Sequence, residues 1–138
     1  MRDNLWPNLL EVVAKNIKNG FKDIAIFEIG KVYIPQKEDL PKETYRVSIS
    51  LMNGSDNPMQ ELYMIACKIL NEDPDDSCLN LVPNDLNPLQ LFHPKRNFLA
   101  DYQGKQIGMI AEIHPRFVNK FGIEKRVAVL EMEIEALI

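Results

Sequence analysis

Two runs of β-type sequence follow one another with no helical stretch between them, and this order restricts the fold more than any other feature. In DIAIFEIGKVYI, residues 23–34, Ile24, Ile26 and Glu28 alternate with Ala25, Phe27 and Ile29. Apolar residues on both faces predict a central, well-buried strand, and Pro35 ends it. Gly30 within it predicts a bulge or a close approach by another backbone. After a charged loop, TYRVSISLM (44–52) places Tyr45, Val47, Ile49 and Leu51 on one face and Arg46, Ser48 and Ser50 on the other. Short connections between consecutive strands imply antiparallel pairing.

Helices flank these strands. Trp6, Leu9, Leu10, Val13, Ala14 and Ile17 form one stripe of a 3.6-residue repeat. Asp3 or Asn4 is the expected cap, Pro7 suits the first turn, and Gly20 lies where the helix should stop. Asn57 is the expected cap of a second helix whose stripe is Met59, Leu62, Tyr63, Ala66, Ile69 and Leu70. Residues 77–94 are the least periodic, with one short strand expected near Leu79–Val82. A hairpin turns at Gln103-Gly104-Lys105, joining Asn97–Tyr102 to Gln106–Ile113. A short helix, Pro115–Phe121, is ended by Gly122, and Val127–Ile134 is a final strand. The fold class is α+β: an antiparallel sheet with helices packed mainly on one face. The 138 residues form one domain, large enough to bury roughly two-thirds of the unfolded surface.

Composition narrows function mainly by exclusion. With 16 basic and 20 acidic side chains the net charge is −4, so a long-range pull on nucleic acid is missing. No apolar run is long enough to span a bilayer and no signal stretch is present, which predicts a soluble, cytoplasmic chain. Cys67 and Cys78 have no CxxC spacing, and His93 and His114 each precede a proline outside any metal-ligand pattern. No metal site or nucleophile triad is expected. The acidic run Glu72, Asp73, Asp75 and Asp76 lacks EF-hand spacing and fits a solvated loop. Glu131, Glu133 and Glu135 share one strand face. That pattern invites acid–base chemistry but is far more often a solvated face, which is the expectation here.

Three blocks carry a family resemblance. MRDNLWPNLLEVVAKNIKNGFKDIAIFEIGKVY resembles (M)RTSLLPGLLEVLxxNxxRGxKDxxxFEIGxVF of the bacterial phenylalanyl-tRNA synthetase beta subunit. LFHPKRNFLADYQGKQIGMIAEIHPRFVNKFGI resembles its HPGRSAxIxxxGxxIGxxGEIHPxVxxxFGI, and RVAVLEMEIEALI resembles its VYVFELDLDAL. The blocks keep the family's order and cover about two-thirds of the chain. Residues 36–90 match poorly.

The resemblance implies the class II aminoacyl-tRNA synthetase-like sheet of the beta subunit's catalytic-like core, an inactive copy packed against the alpha subunit. ATP and magnesium would belong to the alpha subunit in the parent complex, with tRNA a partner of the whole and no cofactor here. Where the alpha subunit has the arginine of GRVYR this chain has Ile34. Over the alpha subunit's FAFGMGLERL, two glycines fall on Leu130 and Met132 and the arginine on Glu135. No catalytic residue is therefore expected. Arg2, Leu5, Trp6, Leu9 and Leu10 fall in the region implied to build the subunit interface, with Trp6 either an anchor there or a core side chain. Lys15, Lys18 and Lys22 fit either tRNA phosphate or a charged helix end. His93 and Arg96 match HPGR, with His93 a turn residue. The chain resembles a fragment lacking the upstream part of the module. A stand-alone degenerate paralogue that binds an amino acid or regulates another protein is the alternative.

Overall fold

A computed structural model describes residues 2–53, 56–76, 79–87, 90–120 and 123–134. Cys78, Gly122 and Glu135 lie outside the described residues.

The elements run α1 (Trp6–Lys18), β1 (Ile24–Ile34), β2 (Lys42–Met52), α2 (Pro58–Ile69), a 3₁₀ turn (Pro74–Asp76), β3 (Leu79–Pro83), β4 (Phe92–Tyr102), β5 (Lys105–Ile113), α3 (Pro115–Lys120) and β6 (Ala128–Glu133). Among the described residues six strands join one antiparallel sheet in the order β1-β2-β6-β5-β4-β3. The last strand thus inserts between β2 and β5. Its side chains are buried on both faces because helices cover both.

Ala128, Leu130 and Met132 turn toward α2 and pack with Leu62, Ala66 and Cys67. Val127 and Val129 turn to the opposite side, where Val13 of α1 and Val118 of α3 lie. The helices lie mainly on one face, as expected: α1 and α3 share one side and α2 covers the other.

β1 is a correction. The apolar alternation on both of its faces predicts a central strand, yet it is one of the sheet's two edge strands. Its α1-side residues Ile24 and Val32 are buried, while Phe27 and Ile29 on the other side are 69% and 56% exposed. Periodicity detects apolar faces but does not say whether anything covers them. Gly30 keeps the pairing in register with Arg46, so no bulge forms. The close approach comes from a side chain instead, since a Cβ there would stand 2.8 Å from Arg2 Nη2.

The β4–β5 turn needs its glycine: Gln103 and Gly104 both have positive φ, at 52° and 78°, as a two-residue hairpin loop requires. Gly20 ends α1 at φ 91°. Asn57 caps α2, accepting from Gln60 N at 3.3 Å.

Candidate functional site

The sheet face beneath α1 gathers the charged residues. Pairing places Glu28, Ser48 and Glu131 in one row across β1, β2 and β6, and Gly30, Arg46 and Glu133 in the next. Glu131 is 1% exposed. Its Oε1 accepts hydrogen bonds from Leu5 N at 2.7 Å and Trp6 N at 2.9 Å. These are amide groups at the start of α1, where no intrahelical carbonyl is available and the helix dipole favours a negative charge. The cap expected from Asp3 or Asn4 is thus supplied by a carboxylate from the far end of the chain. Leu5, at the cap position, makes no side-chain cap bond.

The other oxygen, Glu131 Oε2, is 3.1 Å from Arg46 Nη1. Arg46 Nη2 lies 3.9 Å from Glu133, which also faces Lys105 at 3.4 Å. Arg2 reaches Glu28 at 2.8 Å. The solvated carboxylate face expected of β6 is therefore corrected: Glu131 is wholly enclosed and the side chain of Glu133 is 20% exposed. Burial of such groups is tolerated because each oxygen has a donor or a cation beside it.

Beside this row lies a hollow of ≈ 460 Å³ walled by Trp6, Phe92, Leu99 and Met109, with Arg46 and Glu133 at its floor. The Trp6 and Phe92 rings meet at 5.1 Å, tilted by 56°.

Of the expected interface residues, Leu5 and Leu9 are buried in the chain's own core, at 0% and 5% exposure. Trp6 and Leu10 are half-buried and Arg2 is exposed. Ile34 ends β1 opposite Lys42. Leu130 and Met132 face α2, away from the charged row.

At the other end of β5, Glu112 is 3% exposed and holds two arginines. Arg126 Nε donates to it at 2.6 Å, Arg126 Nη2 makes a second contact, and Arg96 Nε is 3.2 Å away. The hydrogen bond with Glu112 holds the Arg126 guanidinium above its ordinary pKa. His93 and His114 each use Nδ1 to accept the backbone N–H two residues on, from Lys95 and Arg116, both at 3.1 Å. Burial, with Arg96 nearby, lowers the His93 pKa. The expected turn role of His93 fits this geometry.

Three carboxylates on this face, Glu28, Glu131 and Glu133, stand beside three cations, Arg2, Arg46 and Lys105, and the buried Nε of Arg46 has no hydrogen-bond partner among the described residues. Sequence reasoning missed Arg46 and Glu112. Alternation placed Arg46 on the polar face of its strand, but which carboxylates it meets depends on β6 pairing with β2 across 85 residues.

Among the described residues no helix is long and apolar enough to cross a membrane, and no group of three His, Cys, Asp or Glu side chains could hold a metal ion.

The comparisons agree with this architecture. Residues 1–134 match the family model of the phenylalanyl-tRNA synthetase beta chain CLM domain. The chain is 30% identical over 148 residues to the phenylalanine–tRNA ligase beta subunit of Wolbachia sp. subsp. Brugia malayi, covering 98% of this chain and 18% of the relative. It is 27% identical over 146 residues to that of Prochlorococcus marinus strain MIT 9312, with 100% and 18% covered. The chain thus spans 18% of the length of these relatives. A solved pyrrolysyl-tRNA synthetase of Desulfitobacterium hafniense shares the fold with a TM-score of 0.70 at 20% identity, over 99% of this chain and 48% of that one. The sheet is therefore class II synthetase-like, and with the family model matched nearly end to end, the chain belongs to the family of the phenylalanyl-tRNA synthetase beta chain CLM domain.

Proposed function

We propose that the chain is a non-catalytic structural and interaction module of a phenylalanyl-tRNA synthetase beta subunit. It supports attachment of phenylalanine to tRNA by holding the alpha subunit in the assembled cytoplasmic enzyme. ATP and magnesium are then the alpha subunit's ligands, and tRNA meets the complex as a whole.

The observation that carries this reading is the outer strand. Phe27 and Ile29 are large, exposed and adjacent on one face of β1. With Val47, Ile49, Ile69 and Ile134 they line an apolar groove of ≈ 490 Å³. An uncovered apolar surface beside a sheet edge favours association. The non-catalytic part draws on the neutralised Arg46.

Co-purification with the alpha subunit of the same organism tests the assignment. The parent chain retains alpha, and Phe27→Lys/Ile29→Lys reduces retention at least tenfold. Trp6→Ala, in the region selected from the resemblance, ranks the α1 surface against β1. A parent chain that fails to retain alpha, or a double variant that retains it fully, contradicts the assignment.

A further inference from the structure

The two edges of the sheet are finished differently. At one, β3 is five residues long and ends in Pro83, which has no N–H to offer. Short edge strands and proline discourage further pairing. At the other, β1 runs for 11 residues with no proline and no register shift. Tyr33 N donates to the Arg2 carbonyl at 2.9 Å, so its N–H points away from β2. Strand alternation gives Phe27, Ile29 and Lys31 the same outward peptide groups. Among the described residues no strand pairs with them on that side.

The side chains along this edge are self-complementary in one antiparallel register. With a second β1 alongside and Ile29 opposite Ile29, Phe27 of each copy faces Lys31 of the other and Glu28 faces Gly30. On the apolar side the two Ile29 side chains meet, and each Phe27 lies on the diagonal, within reach of an aromatic ring. Phe27 and Ile29 are 69% and 56% exposed in the single chain, so this is surface still to be covered. Lys31 comes beside a second ring, as it already stands over Tyr45 at 5.4 Å. On the other side Gly30 leaves a gap, with Arg2 Nη2 2.8 Å from where a Cβ would stand. Glu28 of the second copy enters beside that guanidinium, which is 41% exposed and holds its own Glu28 at 2.8 Å. Centring the pair on Glu28 instead would set like charges directly opposite each other. Arg2, already bonded at Tyr33, confines the pairing to residues 27–31.

We propose that β1 pairs antiparallel with β1 of a second copy of this chain, two-fold about Ile29, joining two six-stranded sheets into one. The contact is isologous, so it closes as a dimer and does not extend into a filament. It is short, and therefore forms at high micromolar concentration. The inference does not rest on docking of the alpha subunit; alpha and a second copy compete for Phe27 and Ile29.

Light scattering on a sizing column reads the mass of the chain alone over a concentration series. The mass rises from 15.9 kDa toward twice that value and no further. Ile29→Pro removes an outward N–H without touching the ladder to β2; it keeps its circular dichroism spectrum and stays at the monomer mass. Mild oxidation reads the register and stays decisive if Ile29→Pro does not fold. Ile29→Cys forms a covalent dimer, because opposed residues about 5.5 Å apart suit a disulfide. Glu28→Cys and Phe27→Cys, whose copies lie too far apart along the strands, form none above the parent, which keeps its own cysteines. A monomer at every concentration overturns the proposal, as does growth beyond the dimer or a folded Ile29→Pro that still dimerises. So does an Ile29→Cys that forms no covalent dimer, or one no stronger than that of Glu28→Cys or Phe27→Cys. Retention of alpha is measured separately, so failure of the docking assignment does not decide this one.

Discussion

Glu131 and Leu5 are 126 residues apart in the chain, yet the Glu131 carboxylate accepts the Leu5 backbone N–H at 2.7 Å. The same side chain holds Arg46 with its other oxygen. One buried residue therefore ties the start of the first helix to the last strand and neutralises a cation of the sheet.

Removing that carboxylate leaves a guanidinium half-buried and two helix amides without acceptors. Glu131→Ala is expected to lower stability by about 3 kcal/mol, at the lower end of values for breaking a buried pair. Glu131→Gln, which keeps one carbonyl acceptor, should cost less. Urea unfolding of both, with Arg46→Met alone and combined with Glu131→Ala, checks this. The double variant should be less destabilised than the sum of the singles, because the pair is lost only once.

Gly108 is constrained by its neighbour strand. A Cβ there would run into the Glu131 carbonyl and stand 2.7 Å from Met132 Cα, both backbone groups of β6. Gly108→Ala should therefore cost about 3 kcal/mol or prevent folding, as overpacking against rigid backbone does. At Gly104 a Cβ meets nothing within 4 Å, and only its φ of 78° resists substitution. Gly104→Ala should cost about 1–2 kcal/mol. Thermal melts of the two variants give the ordering.

The elements were legible because they follow local patterns. The stripe from Trp6 to Ile17, the Asn57 cap and the Gln103-Gly104 turn each depend on a few neighbouring residues. The short strand near Leu79 is expected inside the least periodic stretch and carries little pattern of its own. The site was much less legible. Glu131 looked like one of several solvated carboxylates because its partners, Leu5, Trp6 and Arg46, come from elements that only the sheet order brings together. Likewise β1 carries the apolar content of a central strand but stands at the sheet's edge, since alternation records two apolar faces without their coverings.

His93 gives a pH dependence of known sign. Its folded pKa lies below the ordinary 6.5, mainly through burial and then through Arg96. As pH falls through about 6.5 the unfolded chain takes up this proton first, so stability drops on acidification and levels off above that range. Protonation also removes the acceptor for the Lys95 N–H. His93→Asn retains a short acceptor without titrating. The stability lost between pH 7.5 and 5.5 should be smaller in the variant than in the parent, as read by urea midpoints.

The exposed apolar pair on β1 makes a separable prediction for the isolated chain. Phe27→Lys/Ile29→Lys should change stability by no more than about 0.5 kcal/mol, since neither side chain is in the core. Leu62→Ala, fully buried under β6, should cost about 3 kcal/mol. Thermal denaturation of both variants distinguishes a surface that binds something else from one that supports this fold.

The most direct test of the account is phenylalanine-dependent ATP–pyrophosphate exchange by the chain without alpha subunit. With Arg46 matched by Glu131 and Glu133, no exchange above a protein-free control is expected at any phenylalanine concentration. Sustained exchange that tracks the purified chain and is abolished by Arg46→Met would contradict the account, because that arginine would then be holding nucleotide instead of two carboxylates.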